Sequence, residues 1–248
     1  MKILFVNTNI GYGGASKMMA WVASQCADNG HEVVFFTYRE EKCNQSISKN
    51  VEHFHKQLED KDGTKKDFVG CVKFIHDYIK KENFEVAVSF LYPSHIRLAL
   101  ACVGTNCKVL FSERGDPFQK PKSIKGKIVN FFSQKIFCTA DAFVFQTSMA
   151  ASYFPKRVQQ KSVVICNPVK PLIRTKERVV GGDKNIVCLA RLDIHQKRQD
   201  ILIEAFNIIS SRYPDYSLLL YGDGSKYDEE ILKSIIEELN PIINKITF

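Results

Sequence analysis

The chain lacks any hydrophobic run long enough to cross a membrane. Its longest apolar runs, at residues 3–6 and 218–221, have the length of strands, whereas a spanning helix needs roughly 20 apolar residues. The start of the sequence also lacks the longer apolar stretch and the small-residue cleavage site of a signal peptide. We therefore expect a cytoplasmic protein, and 248 residues with 45% hydrophobic content are enough for one large domain, or one domain and part of another.

A C-x-x-C pair is also missing, although the chain has eight cysteines. Their scattered positions and mostly apolar neighbours predict buried, reduced thiols instead of a disulfide framework or a zinc site. Neither a metal nor another cofactor is expected. The cysteines are Cys26, Cys43, Cys71, Cys102, Cys107, Cys138, Cys166 and Cys188.

Acidic residues are scarce in the first part of the chain. Residues 1–170 hold 24 Lys and Arg against 15 Asp and Glu, while residues 171–248 hold 11 against 12, which gives +9 and −1 within the total of +8. Such a one-sided charge suits an anionic partner, either a membrane surface or a nucleic acid. Nucleic-acid binding would need aromatic platforms among the cations, so no nucleic-acid partner is predicted.

Residues 118–140 contain five lysines, no acid, and apolar residues at near-helical spacing. A helix at 124–139 could lie at the inner face of the membrane, on anionic lipid, and make the protein peripheral. The alternative is that its apolar side packs on the sheet and its lysines face water.

Strand and helix patterns alternate along the whole chain, which is typical of a parallel sheet covered on both faces. The pattern predicts an α/β protein with an N-terminal Rossmann-like domain at 1–170 and the first half of a second Rossmann-like domain at 171–248. Two complete strands in the second part would leave a bare apolar edge, so we expect a truncated or incomplete chain. Strands are predicted at 3–6, 32–37, 85–90, 108–112, 142–146, 163–166, 185–190, 216–221 and 245–248, and helices at 16–29, 67–82, 94–103, 124–139, 199–212 and 227–239. One short helix is also expected between the strands at 142–146 and 163–166.

A glycine-rich loop, Gly11-Tyr12-Gly13-Gly14-Ala15-Ser16, connects the first strand to the first helix. Glycines allow close backbone approach, and the N–H groups of the helix start can bind a phosphate, so Gly13 and Gly14 are candidate phosphate contacts. The third glycine of the dinucleotide fingerprint is replaced by Ser16, which weakens that interpretation. A tight turn without a ligand is the alternative.

Charged and polar residues follow other strands at the same edge of the predicted sheet. In the loop 112–117, Arg114 could hold a phosphate or carboxylate, and Glu113 or Asp116 could orient it or a sugar hydroxyl; a surface ion cluster is the alternative. His95 could hydrogen-bond a sugar or could be a surface helix residue. With Glu113 and Arg114, it is a candidate catalytic residue. Asn167 is a candidate cleft residue, or part of a rigid turn before Pro168.

The most specific segment spans residues 187–206. Arg191 ends a predicted strand and Lys197 begins a helix, so two cations converge where a diphosphate would sit and where its leaving charge needs stabilisation. Plain solvated charges are the alternative. Gly222-Asp223-Gly224 repeats the strand, glycine loop and helix pattern and predicts a second backbone cradle for the nucleotide.

Together these segments resemble the retaining family 4 glycosyltransferases of the GT-B fold, over nearly the whole chain. The resemblance implies that the first domain binds the acceptor, the second binds a UDP- or GDP-linked sugar, and the reaction takes place between them. Arg191 and Lys197 would bind the donor diphosphate, with Gly14 contacting it from the other domain. The expected activity is transfer of a hexose-type sugar, with retention, to a glycan or lipid-linked acceptor in surface polysaccharide or glycan biosynthesis.

Two departures from the family pattern stand out. Arg198 occupies the position after Lys197 where the family usually has glycine, and the paired glutamates eight positions apart have no counterpart before Phe248. We therefore expect this chain to bind donor poorly and to turn over little or nothing. Alternatives are a non-catalytic partner subunit that binds nucleotide or a sister enzyme, and a nucleotide-sugar epimerase or hydrolase of the same architecture. An NAD enzyme with Glu40 on the ribose is disfavoured by the glycine pattern.

Overall fold

In the computed structural model, the described residues are 1–11, 13–39, 45–59, 67–115, 131, 135–169, 184–239 and 246–247. The chain divides into two compact units, Met1–Lys170 and Pro171–Phe248. Asp116 and most of the lysine-rich segment 118–140 lie outside the described residues.

Unit 1 is built on a seven-stranded parallel sheet with the strand order β3-β2-β1-β4-β5-β6-β7. The first strand lies near the middle, and the order reverses between β1 and β4. The predicted α/β class is therefore confirmed. The strands are β1 Lys2–Asn7, β2 Glu32–Thr37, β3 Val51–His55, β4 Val86–Ser89, β5 Lys108–Ser112, β6 Ala142–Phe145 and β7 Ser162–Val164.

Helices connect these strands and cover both faces of the sheet. The second helix begins after Asp67, whose Oδ1 accepts a 2.7 Å hydrogen bond from the backbone N–H of Gly70, and ends at Asn83 in the left-handed conformation. The described helices of unit 1 are α1 Gly14–Asp28, α2 Phe68–Glu82, α3 Tyr92–Ala101, α4 Ser148–Ser152 and α5 Lys156–Gln159. Phe131 and residues 135–137 are also helical.

The core of unit 1 forms two layers, one on each face of the sheet. Leu4 and Phe36 pack with Ile75 of α2 on one face, and Phe5 and Met19 pack together on the other. Because both faces of the central strands are buried, these strands are continuous apolar runs with no polar alternation. The core therefore holds the carboxyl ends of the strands together at one edge of the sheet.

Unit 2 has a smaller parallel sheet in its described part, with the order β10-β9-β8 and the helices α6 and α7. Cys188 and Leu220 on one face pack in the core of unit 2 that contains Ile203 of α6 and Leu232 of α7. On the opposite face Leu189 is 82% exposed. The elements are β8 Asn185–Leu189, α6 Gln199–Ser210, β9 Ser217–Tyr221, α7 Lys226–Leu239 and β10 Ile246–Thr247.

Two elements of unit 1 differ from the sequence-based expectation. Strand β3 was not predicted, because its exposed polar residues hide the period of an edge strand that pairs only with β2. The single short helix expected after β6 is two helices, α4 and α5, separated by residues 153–155. The other predicted elements of the described part agree to within a few residues at their ends.

The predicted basic helix falls mostly outside the described residues. Of its apolar positions that are described, Phe137 is buried, Ile136 packs against the core, and Phe131 is 57% exposed. Within the described ranges, no helix has both the length and the hydrophobicity needed to span a membrane. Contact of this segment with a membrane stays a prediction.

The seven described cysteines are all free thiols, as predicted. Three are buried and three are partly buried, but Cys166 is exposed, so the expected burial is wrong for that residue. Cys43 lies outside the described residues. Across the part of the chain that the structure describes, no three His, Cys, Asp or Glu residues are grouped as metal ligands.

Candidate active site at the carboxyl edges of the sheets

The crevice of an open α/β sheet lies where the strand order reverses, beyond the carboxyl ends of the strands. In unit 1 this point lies between β1 and β4. The loop that contains Gly13 follows β1, and α3 with His95 follows β4. Glu113 and Arg114 follow the next strand, β5. The fold therefore brings the candidate residues of unit 1 to one edge.

The glycine loop leaves open space beside its backbone. Helix α1 begins at Gly14, and Gly13 has a φ of 137°, a conformation that favours glycine. Apart from its chain neighbours, a Cβ atom at either position would meet no atom of the described residues within 4 Å. The loop is braced on its other side, where the Asn9 side chain accepts a hydrogen bond from the Gly11 N–H at 3.1 Å. Room for a ligand exists at the helix start, and the predicted phosphate contact remains a prediction.

His95 is buried in α3 and does not lie on the surface, so the surface alternative is wrong. Its Nδ1 shares a 2.6 Å hydrogen bond with Ser89 Oγ, and its ring stacks on Phe111 at 4.4 Å between centroids. Burial lowers the pKa of His95 to about 3, so the ring is neutral near neutral pH. Its Nε2 lies 3.7 Å from Glu113 Oε2 and has no hydrogen-bond partner among the described residues. Direct contact with a sugar would require surrounding side chains to move.

Glu113 is also largely enclosed, with 10% of its side chain exposed. Burial raises its pKa, while hydrogen bonds from backbone N–H groups act in the opposite direction. One of these bonds comes from Gly115, at 2.8 Å to Oε1, and Gln146 donates to the Glu113 carbonyl at 2.7 Å. An exposed ion cluster is therefore the wrong description of Glu113. The position combines a fixed loop with a carboxyl group that protonates more readily than usual.

Arg114 and Asn167 are brought together although they are far apart in sequence. The Arg114 guanidinium donates to Asn167 Oδ1 and, through Nε, to Ser112 Oγ at 2.9 Å. It also lies over the Phe90 ring, 4.7 Å from the centroid, and burial lowers its pKa. The planar cation is thus pre-oriented at the edge of unit 1. Asp116, the third charged candidate of this loop, lies outside the described residues.

In unit 2, the turn between β8 and α6 carries both predicted diphosphate-binding cations. Arg191 donates 2.8 Å hydrogen bonds to Asp193 Oδ2 and Gln196 Oε1, and its side chain is 61% exposed. Lys197 is exposed, and its backbone N–H donates to the Asp193 carbonyl at 2.8 Å. Within the described residues, no carboxylate forms an ion pair with the Lys197 ammonium.

Gln199 organises this turn and was not recognised from the sequence. It is fully buried, donates from Nε2 to the Arg191 carbonyl at 2.8 Å, and accepts from the Asp193 N–H at 3.3 Å. A buried amide at the start of α6 thus fixes the backbone on both sides of the cation pair. The only available signal was a polar side chain at the start of a helix, which is too common to be diagnostic.

The second glycine loop packs directly on the first turn of unit 2. Gly222 has a φ of 153°, and a Cβ there would overlap the Ala190 carbonyl oxygen, while a Cβ at Gly224 would lie 2.6 Å from that of Leu192. The Asp223 carbonyl accepts a 3.0 Å hydrogen bond from the Leu192 N–H. Both glycines are thus required for close approach of the two loops. Nucleotide binding by Gly222, Asp223 and Gly224 stays a prediction.

Arg198 occupies the N-cap position of α6 in the left-handed conformation, with φ 52° and ψ 44°. This conformation is unfavourable for residues with a Cβ, and glycine adopts it without that cost. The Arg198 side chain pairs with Asp200 at 2.9 Å. Arg198, which stands where the family usually has glycine, therefore adopts the left-handed backbone conformation that glycine favours.

Comparisons with known proteins agree with this architecture. The family model described as Glycosyltransferase Family 4 matches residues 12–171. An uncharacterized glycosyltransferase from Haemophilus influenzae is 23% identical over 244 residues, which cover 96% of this chain and 66% of that protein. The chain therefore spans about two thirds of the length of this relative.

Solved glycosyltransferase structures share the fold. The apo lipopolysaccharide outer core galactosyltransferase WaaB matches with a TM-score of 0.67 and 17% identity, over 100% of this chain and 67% of its own. HepE from Anabaena, in complex with UDP-glucose, matches with a TM-score of 0.71 and 16% identity, over 100% of this chain and 68% of its own. With the family model covering more than half of its residues, the chain belongs to Glycosyltransferase Family 4.

Proposed function

We propose that this protein transfers a hexose-type sugar from a nucleotide-diphosphate sugar to a glycan or lipid-linked acceptor, with retention. The observation that carries the proposal is the turn of unit 2 in which Arg191 and Lys197 lie beside the start of α6, at the carboxyl end of β8. HepE, which shares the fold, binds UDP-glucose. Transfer with retention and the hexose rest on the family resemblance.

In this proposal the two cations stabilise the departing diphosphate. Arg191 is already oriented by Asp193 and Gln196, so little reorganisation is needed when negative charge develops on the leaving group. Lys197 offers an ammonium group that no described carboxylate neutralises, and the N–H groups at the start of α6 add a favourable dipole. The cations supply the positive charge that a metal ion provides in other transferases, so no metal is proposed.

Unit 1 is proposed to bind the acceptor along its carboxyl edge. Arg114, held by Asn167 and Ser112, is a fixed cation, and Glu113 is a carboxyl group with a raised pKa that could hydrogen-bond an acceptor hydroxyl. His95 would act from behind Glu113 as a neutral, buried neighbour.

The test is UDP-glucose binding by isothermal titration calorimetry with paired variants, at donor concentrations high enough for the weak binding expected of this chain. Lys197→Gln and Arg191→Gln should each weaken binding by about tenfold or more, because each removes a charge-assisted hydrogen bond to phosphate. Arg198→Gln is the matched control, since it removes a neighbouring cation that pairs with Asp200 instead. Equal effects of all three variants would refute the assigned roles.

Where transfer to an acceptor is measurable, the configuration of the product tests retention directly. Proton NMR of the anomeric signal at early times should show the configuration of the donor sugar. An inverted product would rule out a retaining reaction.

A membrane-linked acceptor is tested separately by co-sedimentation with vesicles that contain or lack anionic lipid. Binding that does not depend on anionic lipid would contradict a role for the lysines at 118–140.

A further inference from the structure

A cluster of two arginines and one glutamate, of which Glu59 and Arg97 are buried and Arg39 is partly exposed, lies at the carboxyl edge of unit 1, outside the residues discussed above. Arg39 follows β2, Glu59 follows β3, and Arg97 lies in α3. Glu59 is 1% exposed and Arg97 is 7% exposed. Glu59 Oε2 accepts a hydrogen bond from Arg39 at 3.0 Å, and Oε1 accepts one from Arg97. One carboxylate therefore holds two guanidinium groups.

The positive charge of this cluster is not balanced by the described residues. Glu59 is the only carboxylate in the described ranges that forms an ion pair with either arginine. The Nε atoms of Arg39 and Arg97 are both buried without a hydrogen-bond partner there. An excess cation in a poorly solvated site is costly, and an anion that pairs with it removes that cost.

The two arginines differ in what they can offer a ligand. Arg97 is closed in, because its guanidinium lies over the rings of Tyr38 and Phe68, at 5.2 and 4.9 Å, and donates to the Pro93 carbonyl at 2.7 Å. The side chain of Arg39 is 26% exposed, and only one of its terminal nitrogens is bound to Glu59. Arg39 is therefore the member of the cluster that a solute can reach.

Arg39 also lies beside the proposed active site. Its backbone N–H donates to the Thr8 carbonyl at 3.0 Å, which places it next to the loop that runs from β1 to Gly13 and Gly14. Because β2 is the neighbour of β1, a group bound by Arg39 would be close to the crevice at the point where the strand order reverses.

We propose that Arg39 binds a phosphate group of the acceptor substrate, with Glu59 holding the guanidinium in position. A guanidinium recognises phosphate through its N–H donors; Glu59 accepts from the Nη2 of Arg39, and no described residue accepts a hydrogen bond from its Nη1. The inference rests on the proposed function, which it extends by assigning an anionic acceptor to unit 1. Arg97 acts as a positioning residue that fixes Glu59.

Inorganic phosphate is the probe, and Trp21 in α1 is the reporter, because it is the only tryptophan and lies in unit 1. Urea unfolding is followed by its fluorescence as inorganic phosphate replaces chloride at constant ionic strength. A ligand that binds only the folded state raises the unfolding midpoint, and the dependence on phosphate concentration gives its affinity. Phosphate bound at Arg191 and Lys197 in unit 2 is measured separately with the Arg191→Gln variant.

The comparison is between the unaltered chain, Arg39→Gln, Arg39→Lys and the control Arg198→Gln, which removes one positive charge from unit 2. Arg39→Gln should weaken phosphate binding by about tenfold or more. The phosphate affinity of Arg39→Lys should lie between those of the unaltered chain and Arg39→Gln. Arg198→Gln should match the unaltered chain. The Arg39→Lys variant keeps the charge beside Glu59, so it tests binding even if Arg39→Gln folds poorly.

Two outcomes would overturn the inference. An equal response to phosphate in the unaltered chain and both Arg39 variants would mean that the charge of the cluster is balanced within the chain. Loss of the response in Arg198→Gln as well would mean that phosphate acts through general charge. UDP-glucose binding tests the proposed function separately, so a chain that binds phosphate through Arg39 but binds no nucleotide sugar would retain this site and lose the proposed transfer.

Discussion

Burial of the His95 ring should make unit 1 lose stability between about pH 6.5 and pH 5. The pKa of His95 is lowered to about 3 in the folded protein, whereas an unfolded chain binds the same proton near its ordinary value of about 6.5. As the pH falls through that range, the unfolded state takes up a proton that the folded state does not. Each pH unit then costs the folded state about 1.4 kcal/mol, or about 2 kcal/mol at pH 5.

The measurement compares the unaltered chain with His95→Asn by urea unfolding near pH 7 and near pH 5, followed by Trp21 fluorescence. Asparagine can keep the hydrogen bond to Ser89, but it loses the stacking on Phe111, which lowers stability by an amount that does not depend on pH. The difference in unfolding free energy between the two proteins should therefore shrink by about 2 kcal/mol from pH 7 to pH 5. His195→Asn, which replaces an exposed histidine of unit 2, is the control for the general effect of removing a histidine.

Protonation of Glu113 changes the stability of unit 1 in the opposite direction at low pH. Its raised pKa means that the folded state binds this proton first, which favours folding as the pH falls toward the ordinary value for a carboxyl group. Because both proteins contain Glu113, its contribution largely cancels in the comparison. A stability difference between the unaltered chain and His95→Asn that is constant from pH 7 to pH 5 would refute the argument that His95 is buried in its neutral form.

Three further substitutions test other parts of the structure. Glu59→Gln should lower the stability of unit 1 by about 3–5 kcal/mol in urea unfolding, since it leaves a buried Arg97 without its counter-ion; a loss below about 1 kcal/mol would contradict this. Gly222→Ala should reduce the thermal stability of unit 2 and its UDP-glucose affinity together, because a Cβ would overlap the Ala190 carbonyl; unchanged circular-dichroism melts would argue against that contact. At position 198, Arg198→Gly should be more stable than Arg198→Ala by about 0.5–1 kcal/mol in the same melts, because glycine relieves the left-handed strain. Equal stability of the two variants would mean that the turn relaxes to another backbone conformation.

The sequence was sufficient to predict the central architecture because both faces of the sheet are buried. Strands such as β1 and β5 are continuous apolar runs, and the helices between them have apolar faces. The order of strands and helices along the chain could therefore be predicted directly. Strand β3 escaped prediction because it is an edge strand, whose identity depends on pairing with β2. Local pattern gives no information about such a partner.

For the candidate site, the sequence indicated which loops matter but not the environment of each side chain. The position of His95 after β4 was predictable, but its burial against Phe111 was not, because that contact depends on how α3 packs. The cluster around Glu59 joins two strand ends and a helix that are far apart in sequence, so no motif marks it. The buried amide of Gln199 is another contact that only the folded turn creates.

The position of β1 in the sheet has a consequence for synthesis on the ribosome. β1 is made first, yet it pairs with β2, where Ile3 meets Val33, and with β4, where Ile3 meets Val86. Its second edge stays unpaired until more than eighty further residues have been translated, and every strand connection in this sheet is a crossover that no hairpin can replace. The nascent chain therefore carries an apolar strand with an open edge for several seconds, at translation rates of about 5–20 residues per second. Lower growth temperatures and chaperones that bind nascent chains should therefore raise the yield of folded protein.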